Sequence, residues 1–203
     1  MAMQDVVDNA ILGKLFLIVG PSGSGKGTVI ENLKRYYPGF VYPVSYTTRE
    51  PREGEVDGVV YKFISKEDFE RMIANDEFLE YAVVHTDNYY GTPKEAILGP
   101  LRAGAVVVRE VDIQGFNAIR DLVPKEALVS IFMKVPDLDD LKTRILRRGE
   151  LSDDELNKRL ESARKETEQS DLCDYQVENE WGKIWECVRS VEKIILDNIR
   201  DLY

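Results

Sequence analysis

The nine residues Gly20-Pro21-Ser22-Gly23-Ser24-Gly25-Lys26-Gly27-Thr28 carry the plainest chemistry in this chain. A short apolar run, Leu15–Val19, precedes them, and an amphipathic stretch follows from about Lys26. Glycines at this spacing let backbone N–H groups wrap phosphate oxygens, and the start of a helix adds positive potential. Lys26 would then reach the β- and γ-phosphates of a nucleoside triphosphate. The usual arrangement puts Ser or Thr directly after the lysine; here Gly27 takes that place and Thr28 follows it. Thr28 is therefore a weak candidate for a magnesium ligand, directly or through water. The plain structural alternative is a glycine-rich strand-to-helix turn with an exposed lysine. By itself the loop leaves many nucleotide-dependent activities open.

Three further groups have matching chemistry. Arg49 and Arg52 flank Pro51 and can converge on one anion, with Tyr61 as a further donor. A planar guanidinium suits bidentate contact with a phosphate. Asp112 follows the apolar run Ala105–Val108 and Glu110, at the strand end where ligands of α/β proteins gather. Arg144 and Arg148 lie one helical turn apart beside Leu141 and Ile145, and Arg159 falls in the next helical stretch. Each has a bland reading as well. Arg49 and Arg52 suit a solvated turn, Asp112 a helix cap, and the later arginines the rim of an apolar face.

Taken together and in this order, these blocks resemble guanylate kinases from Leu15 to the C-terminal apolar stretch. The resemblance is carried by Gly20–Thr28, by Ser45–Arg52 with Glu55-Val56-Asp57-Gly58 and Tyr61, and by Glu80 with Asn88-Tyr89-Tyr90-Gly91-Thr92. Asp112-Ile113-Gln114-Gly115 and the arginines Arg144, Arg148 and Arg159 complete it. It implies transfer of the γ-phosphoryl group of ATP to GMP, giving ADP and GDP, with Mg2+ as cofactor. It implies that Ser45, Glu80 and Thr92 surround guanine and that Arg49, Arg52, Tyr61 and Tyr90 hold the GMP phosphate. Asp112 would lie between the nucleotides near the water shell of Mg2+, with Glu110 beside it on the GMP side. Gly20 to Thr28, Arg144 and Arg148 would bind ATP, with Asn179 near adenine. Lys26, Arg49, Arg148, Arg159 and Asp112 would form the catalytic set. The implied partners are ATP and GMP, with dGMP and the choice between monomer and homodimer left open. A catalytically silent protein-binding module of the same family, and a kinase for another nucleoside monophosphate such as AMP or dTMP, are the competing readings. Retention of Lys26, Arg148 and Arg159 weighs against the first, and the Arg49, Arg52, Tyr61 and Glu80 set against the second. Glu80 fits guanine physically, since a carboxylate accepts from both N1–H and the exocyclic N2 amine, a pair that adenine lacks.

The elements that must position these groups alternate between strand and helix. Lys14–Val19 reads as a buried strand, and Val29, Ile30, Leu33 and Tyr37 as the apolar face of a helix stopped by Pro38-Gly39. Residues 40–46, 59–64 and 78–84 have strand character, with turns at Glu53-Gly54 and Asp57-Gly58. Ser65 with Asp68 starts a helix, and Thr92-Pro93 reads as the cap and first residue of another that ends at Gly104. Ala105–Val108 and Leu128–Val135 are unalternating apolar runs, as expected of strands covered on both faces. Two helices follow Pro136, separated by Gly149 and Glu150, the second opened by Ser152 and Glu155. The last helix carries Ile184, Val188, Val191, Ile195, Ile199 and Leu202. The expected fold is α/β: a P-loop parallel-sheet core (1–44, 93–137, 165–203), an inserted mixed-β GMP-binding lobe (about 45–92) and a helical lid (about 138–164) within one 203-residue domain.

Composition limits the field further. With 43% hydrophobic and 32% charged residues the chain suits a globular protein. Its net charge of −10 argues against nucleic-acid binding, and substrates carrying phosphate must then be drawn in by local cationic clusters. No apolar run is long enough to span a bilayer, and Asp5 and Asp8 stand where a basic leader would be expected, so a cytoplasmic site and no membrane partner are anticipated. Cys173 and Cys187 have no metal-ligand spacing, and His85 is the one histidine, which excludes a Ser-His-Asp triad and multi-histidine metal sites.

Overall fold

Five successive residues, Leu15 to Val19, are fully buried, because the strand they form, β1 (Lys14–Val19), lies in the middle of a parallel sheet. The computed structural model of the chain describes residues 11–52, 54–84, 87–147 and 151–202. The readings that involve Asp5, Asp8, Glu53, His85, Arg148, Gly149 and Glu150 therefore lie outside the described residues. β1 pairs on one side with β6 (Val106–Val111) and on the other with β7 (Leu128–Lys134), which pairs in turn with β8 (Tyr175–Glu178). All three pairings are parallel. Side chains alternate across a strand, so Leu15, Leu17 and Val19 enter one apolar cluster while Phe16 and Ile18 enter the other. The first cluster is closed by Ile97, Leu98 and Leu101 of α3 (Lys94–Arg102) and by Ile113, Phe116 and Ile119 of α4 (Ile113–Ile119). The second is closed by Val29, Ile30 and Leu33 of α1 (Lys26–Tyr36) and by Val188, Val191 and Ile195 of α7 (Ile184–Asn198). Full burial of each such side chain stabilises the fold by about 1.5–3 kcal/mol before entropy is counted.

A second sheet rises from residues 45–93. β2 (Ser45–Thr47) runs parallel to β3 (Tyr61–Phe63) and antiparallel to β5 (Asn88–Pro93), which pairs antiparallel with β4 (Phe78–Val84). α2 (Lys66–Ala74), capped by Ser65 Oγ accepting from Asp68 N–H, lays Phe69 against Phe78 with ring centroids 4.3 Å apart. Two further helices, α5 (Leu138–Leu146) and α6 (Asp153–Glu168), share a small cluster of Leu141, Ile145, Leu156 and Ala163. Ser152 and Glu155 form the expected reciprocal capping box at the start of α6.

Several boundaries differ from expectation, for local reasons. The strand expected over 40–46 is reduced to β2 and one bridge, in which Val41 donates to Val106 O and accepts from Val108 N–H. Pro43, which has no N–H, interrupts any continuous ladder between them. The run expected over 59–64 narrows to β3. β6 continues past Val108 to Val111, so Arg109 and Glu110 are strand residues with opposite outlooks, Arg109 buried and Glu110 exposed. Thr92 does not cap α3. It lies in β5 opposite Glu80 with its side chain fully buried, and Pro93 caps the helix from outside. α4 was anticipated only through Asp112 as a helix cap, and β8 not at all: in it only Val177 is buried. Both cysteines are free and buried, and burial pushes each thiol up to about 11.

The second sheet has little room to spare. A β-carbon at Gly91, opposite Tyr46 and Tyr81, would stand 2.8 Å from Phe78 and 2.9 Å from Phe69. Gly91→Ala is accordingly expected to destabilise the protein by about 1–3 kcal/mol, the common cost of overpacking. This would be read as a lower urea midpoint with unchanged slope. An unaltered midpoint would show that the stacked rings can shift freely.

Candidate active site

The loop after β1 turns at three glycines in backbone conformations that side chains rarely adopt: Gly20 (φ 149°), Gly23 (φ 89°) and Gly25 (φ 96°). Sterics reinforce the requirement. A β-carbon on Gly25 would meet Asn179 Nδ2 at 2.4 Å, and one on Gly20 would meet Met133 O at 2.7 Å. Asn179 is buried and donates from Nδ2 to Ser24 O (2.8 Å), while its own N–H donates to Lys134 O (2.8 Å). It therefore clamps the loop to β7. Pro21 O accepts from Ser24 N–H, and Ser24 is wholly buried. Lys26 Nζ bends back over the loop to Gly20 O (2.5 Å) and Pro21 O (3.0 Å).

Three clefts meet around this loop. The middle one, about 330 Å³, is lined by Ser22, Lys26 and Gly27 on one wall and by Glu110, Asp112 and Glu166 on the other. Asp112 caps α4 by accepting from Gly115 N–H (2.8 Å), as its bland reading expects, and it also lines this cleft. The carboxyl of Glu166 is held above the usual carboxylate range, mainly by burial and then by the neighbouring Asp112. A second cleft, about 460 Å³, opens beyond Gly25 and Thr28 towards Arg144, Arg147, Asn179 and Trp181. Arg144 donates to Asn179 O (2.7 Å), and the guanidinium of Arg147 lies 4.6 Å from the Trp181 ring centre. Burial draws the Arg144 guanidinium below its ordinary pKa.

The third cleft, about 440 Å³, runs from Gly27 and Glu110 between α1 and the second sheet, along Ser45, Tyr61 and Arg109. Behind Arg109, which lines this cleft, Thr92 Oγ1 donates to Glu80 Oε1 (2.5 Å). Arg109 donates to Thr92 Oγ1, to Ser45 Oγ (2.9 Å) and to Pro43 O (3.1 Å), and stands 3.8 Å from Glu80 Oε1. Near its mouth Arg49 makes a two-pronged pair with Glu55 (2.8 and 3.0 Å) and faces the rings of Tyr61 and Phe63. Tyr61 and Tyr90 meet edge to face at 5.6 Å, and burial raises the Tyr61 hydroxyl above its ordinary pKa. The backbone N–H of Arg52 donates to Glu55 (2.7 Å), and this bond, followed by the Arg49 side chain, holds Glu55 below the usual carboxylate range.

The structure thus gathers Ser45, Glu80 and Thr92 in one place and sets Lys26, Gly27, Glu110 and Asp112 in another. The Arg52 side chain is exposed on its loop, and Arg159 lies exposed on α6 and lines none of these three clefts. Arg148 lies outside the described residues. Arg109, Glu55, Glu166, Arg147 and Trp181 are site residues that sequence reasoning did not single out as such. A charged residue inside an apolar strand was the one available signal for Arg109. Glu55 stood in a motif but without a role, and Arg147 lay unremarked between two arginines that had one.

Comparison with known proteins agrees with this arrangement. The family model described as guanylate kinase matches residues 12–197. The guanylate kinase of Nostoc sp. (strain PCC 7120) is 44% identical over 173 residues, 85% of each chain, and that of Clostridioides difficile (strain 630) is 46% identical over 168 residues, 83% of this chain and 80% of the relative. The crystal structure of guanylate kinase from Anaplasma phagocytophilum superposes with a TM-score of 0.69 at 27% identity, covering 94% of this chain and 89% of that one. With the glycine loop, the three joined clefts and matches of this extent, the chain belongs to the guanylate kinase family.

Proposed function

We propose that this chain transfers the γ-phosphoryl group of ATP to GMP, with donor and acceptor approaching the middle cleft from opposite sides. One observation carries the reading. The middle cleft shares Gly23 and Gly25 with the cleft beyond Thr28, and shares Gly27 and Glu110 with the cleft along Ser45. Two mononucleotides seated in the outer clefts would bring their phosphates together over Lys26. The family membership and the identity to named guanylate kinases support the same substrates. Among the described residues, no helix is long and apolar enough to cross a membrane.

On the acceptor side, Glu80 accepts from guanine N1–H and N2, and Ser45 faces O6. Tyr61, Tyr90, Arg49 and Arg52 hold the phosphate, for which Arg49 exchanges part of its contact with Glu55. On the donor side, the loop N–H groups and Arg144 bind the phosphates of ATP, Trp181 and Arg147 flank the outer cleft, and Asn179 acts by holding the loop rather than by reading adenine. The helical segment of about 138–164 serves as a lid that carries Arg159 inwards on closure, excluding water that would otherwise compete as acceptor, and Arg148 is assigned to the phosphates of ATP. The GMP phosphate is already anionic, so it needs no strong general base. These residues act by in-line positioning and by neutralising charge on the transferring group.

The donor set also fits magnesium arriving with the nucleotide. Among the described residues no group of three or more acidic, histidine or cysteine side chains forms a metal cage, which is ordinary for an ion held by one or two carboxylates, water and phosphates. Where most such loops place a hydroxyl, Gly27 leaves a space whose nearest neighbour is Glu110 Oε2, 3.9 Å from the missing β-carbon. Glu110 and Asp112 would face the ion, with Thr28 at most through water. When bound, magnesium draws charge from the β- and γ-phosphoryl oxygens.

A coupled assay offering GMP, AMP and dTMP with ATP tests the reading, since turnover confined to GMP is expected and no turnover would favour a silent binding module. Lys26→Ala is expected to lower kcat by about 10²–10³-fold, as for the loss of one transition-state donor, while GMP affinity measured by calorimetry is retained. Turnover near that of the parent would remove Lys26 from the chemistry. Glu80→Gln is expected to weaken GMP binding at least about tenfold, because an acceptor oxygen becomes a donor facing other donors. Equal GMP affinity in parent and variant would show that Glu80 does not read the base.

A further inference from the structure

Arg109 is the one charged side chain buried within β6, whose neighbours Val107 and Val111 on the same face belong to the apolar cluster beneath α3 and α4. A guanidinium there is costly unless it is paired, and its partners are an unusual set. It donates to two hydroxyl oxygens, Ser45 Oγ and Thr92 Oγ1, and to one carbonyl, Pro43 O. Its Nε is buried without a hydrogen-bond partner among the described residues.

A guanidinium only donates, so each hydroxyl oxygen it touches must accept from it and must send its own hydrogen elsewhere. Thr92 sends its hydrogen to Glu80 Oε1. That hydrogen is then unavailable to a base, and Thr92 becomes a link between Arg109 and Glu80 rather than a reader of O6. Ser45 Oγ makes no other hydrogen bond among the described residues and lines the acceptor cleft together with Arg109. Its hydrogen is the one left for a ligand, and a ligand atom meeting it must be an acceptor.

We propose that Arg109 biases the hydrogen-bond polarity of the acceptor pocket, taking one lone pair of Ser45 Oγ so that its hydrogen is offered to the ligand and a purine with an oxygen at position 6 is favoured. The inference rests on the GMP reading above and adds to it a residue that sets specificity without belonging to the phosphate machinery. A hydroxyl without such a neighbour can rotate to accept from a 6-amino group as readily as it donates to a 6-oxo group. With Arg109 behind it, one of the two lone pairs on Ser45 Oγ is taken and a cation stands against any further N–H approaching that oxygen, so a 6-amino purine is disfavoured and would leave the Ser45 hydrogen without its acceptor. Discrimination at position 2 stays with Glu80, so the two edges of the base are read by separate devices.

IMP removes the 2-amino contribution, because it shares the 6-oxo group and N1–H with GMP; the N1–H contact with Glu80 is common to parent and variants, so a change in the IMP-to-AMP preference between them reports on Arg109. The test compares kcat/KM and calorimetric affinity for GMP, IMP and AMP in the parent, Arg109→Met, Ser45→Ala and the double variant. Arg109→Met is expected to lower the IMP-to-AMP preference by about tenfold or more, chiefly through affinity and KM rather than kcat. Ser45→Ala is expected to lower it similarly, and the double variant no further, since both changes remove the same donor. If Arg109→Met does not fold, Arg109→Lys in the same cycle serves: it keeps the charge but not the fork, and should show a partial loss that is again non-additive with Ser45→Ala. An unchanged IMP-to-AMP preference in the folded Arg109 variant, or strictly additive losses, would overturn the proposal and leave Arg109 a bolt between the sheets. Failure of the parent to phosphorylate GMP would instead overturn the function on which it rests.

Discussion

The whole arrangement depends on anions being held by donors a few ångströms away inside a protein whose net charge is −10. Screening at physiological ionic strength confines surface charge to about 8 Å, so the excess of Asp and Glu scarcely reaches a phosphate that is in direct contact with N–H groups. The loop after β1 supplies those groups only in one shape. Gly23 and Gly25 occupy left-handed conformations, and Asn179 presses against Gly25 closely enough to exclude a side chain there. The amide that crowds Gly25 is also the one that bonds Ser24 O. Steric exclusion and hydrogen bonding therefore come from a single residue carried at the end of β8, and the cradle is as rigid as the sheet behind it.

The acceptor pocket follows a different logic. It is built at the junction of the two sheets, where Arg109 on β6 reaches Ser45 on β2 and Thr92 on β5. Replacing a buried charge by an apolar residue is often neutral or stabilising, so stability alone gives little reason for an arginine in a strand that is otherwise Val-rich. Its geometry gives a better one. A donor-only group placed behind two hydroxyls and 3.8 Å from a carboxylate takes a lone pair from each hydroxyl and leaves their hydrogens to point elsewhere. The same contacts join the strand that ends at Val111, just before Asp112, to the sheet of β2 and β5.

Much of this was legible in the residue pattern, and the exceptions share a physical cause. β1, β4, β7, α1 and the capping box of α6 were readable because burial on one or both faces leaves a periodic trace. β8 leaves none, since it is an edge strand with a single buried residue. Thr92 was readable as a helix cap because Thr-Pro has that local meaning, but the cross-strand bond to Glu80 is a tertiary fact with no local signature. Arg109 sits as a charge inside an apolar run, but its partners come from positions 43, 45 and 92, which no local pattern connects. Local pattern reports which residues are inside; it does not report which way a hydroxyl hydrogen points.

The exchange at Gly27 shows how the two halves of the site are tied. In most loops of this kind the oxygen facing the metal sits on the helix directly after the lysine. Here that position has no side chain, and the oxygen nearest the space is Glu110 Oε2, on the strand across the cleft. A helix-borne hydroxyl would belong to the donor side alone. Glu110 belongs to both, since it lines the middle cleft with Lys26 and the acceptor cleft with Tyr61. It also neighbours Arg109 in β6, pointing to the opposite face of the strand. A shift of β6 along its axis would therefore move Arg109 and Glu110 together. Pairing of β6 to β1 over its whole length opposes such a shift, so the central sheet fixes the spacing between the contacts of Arg109 and the middle cleft.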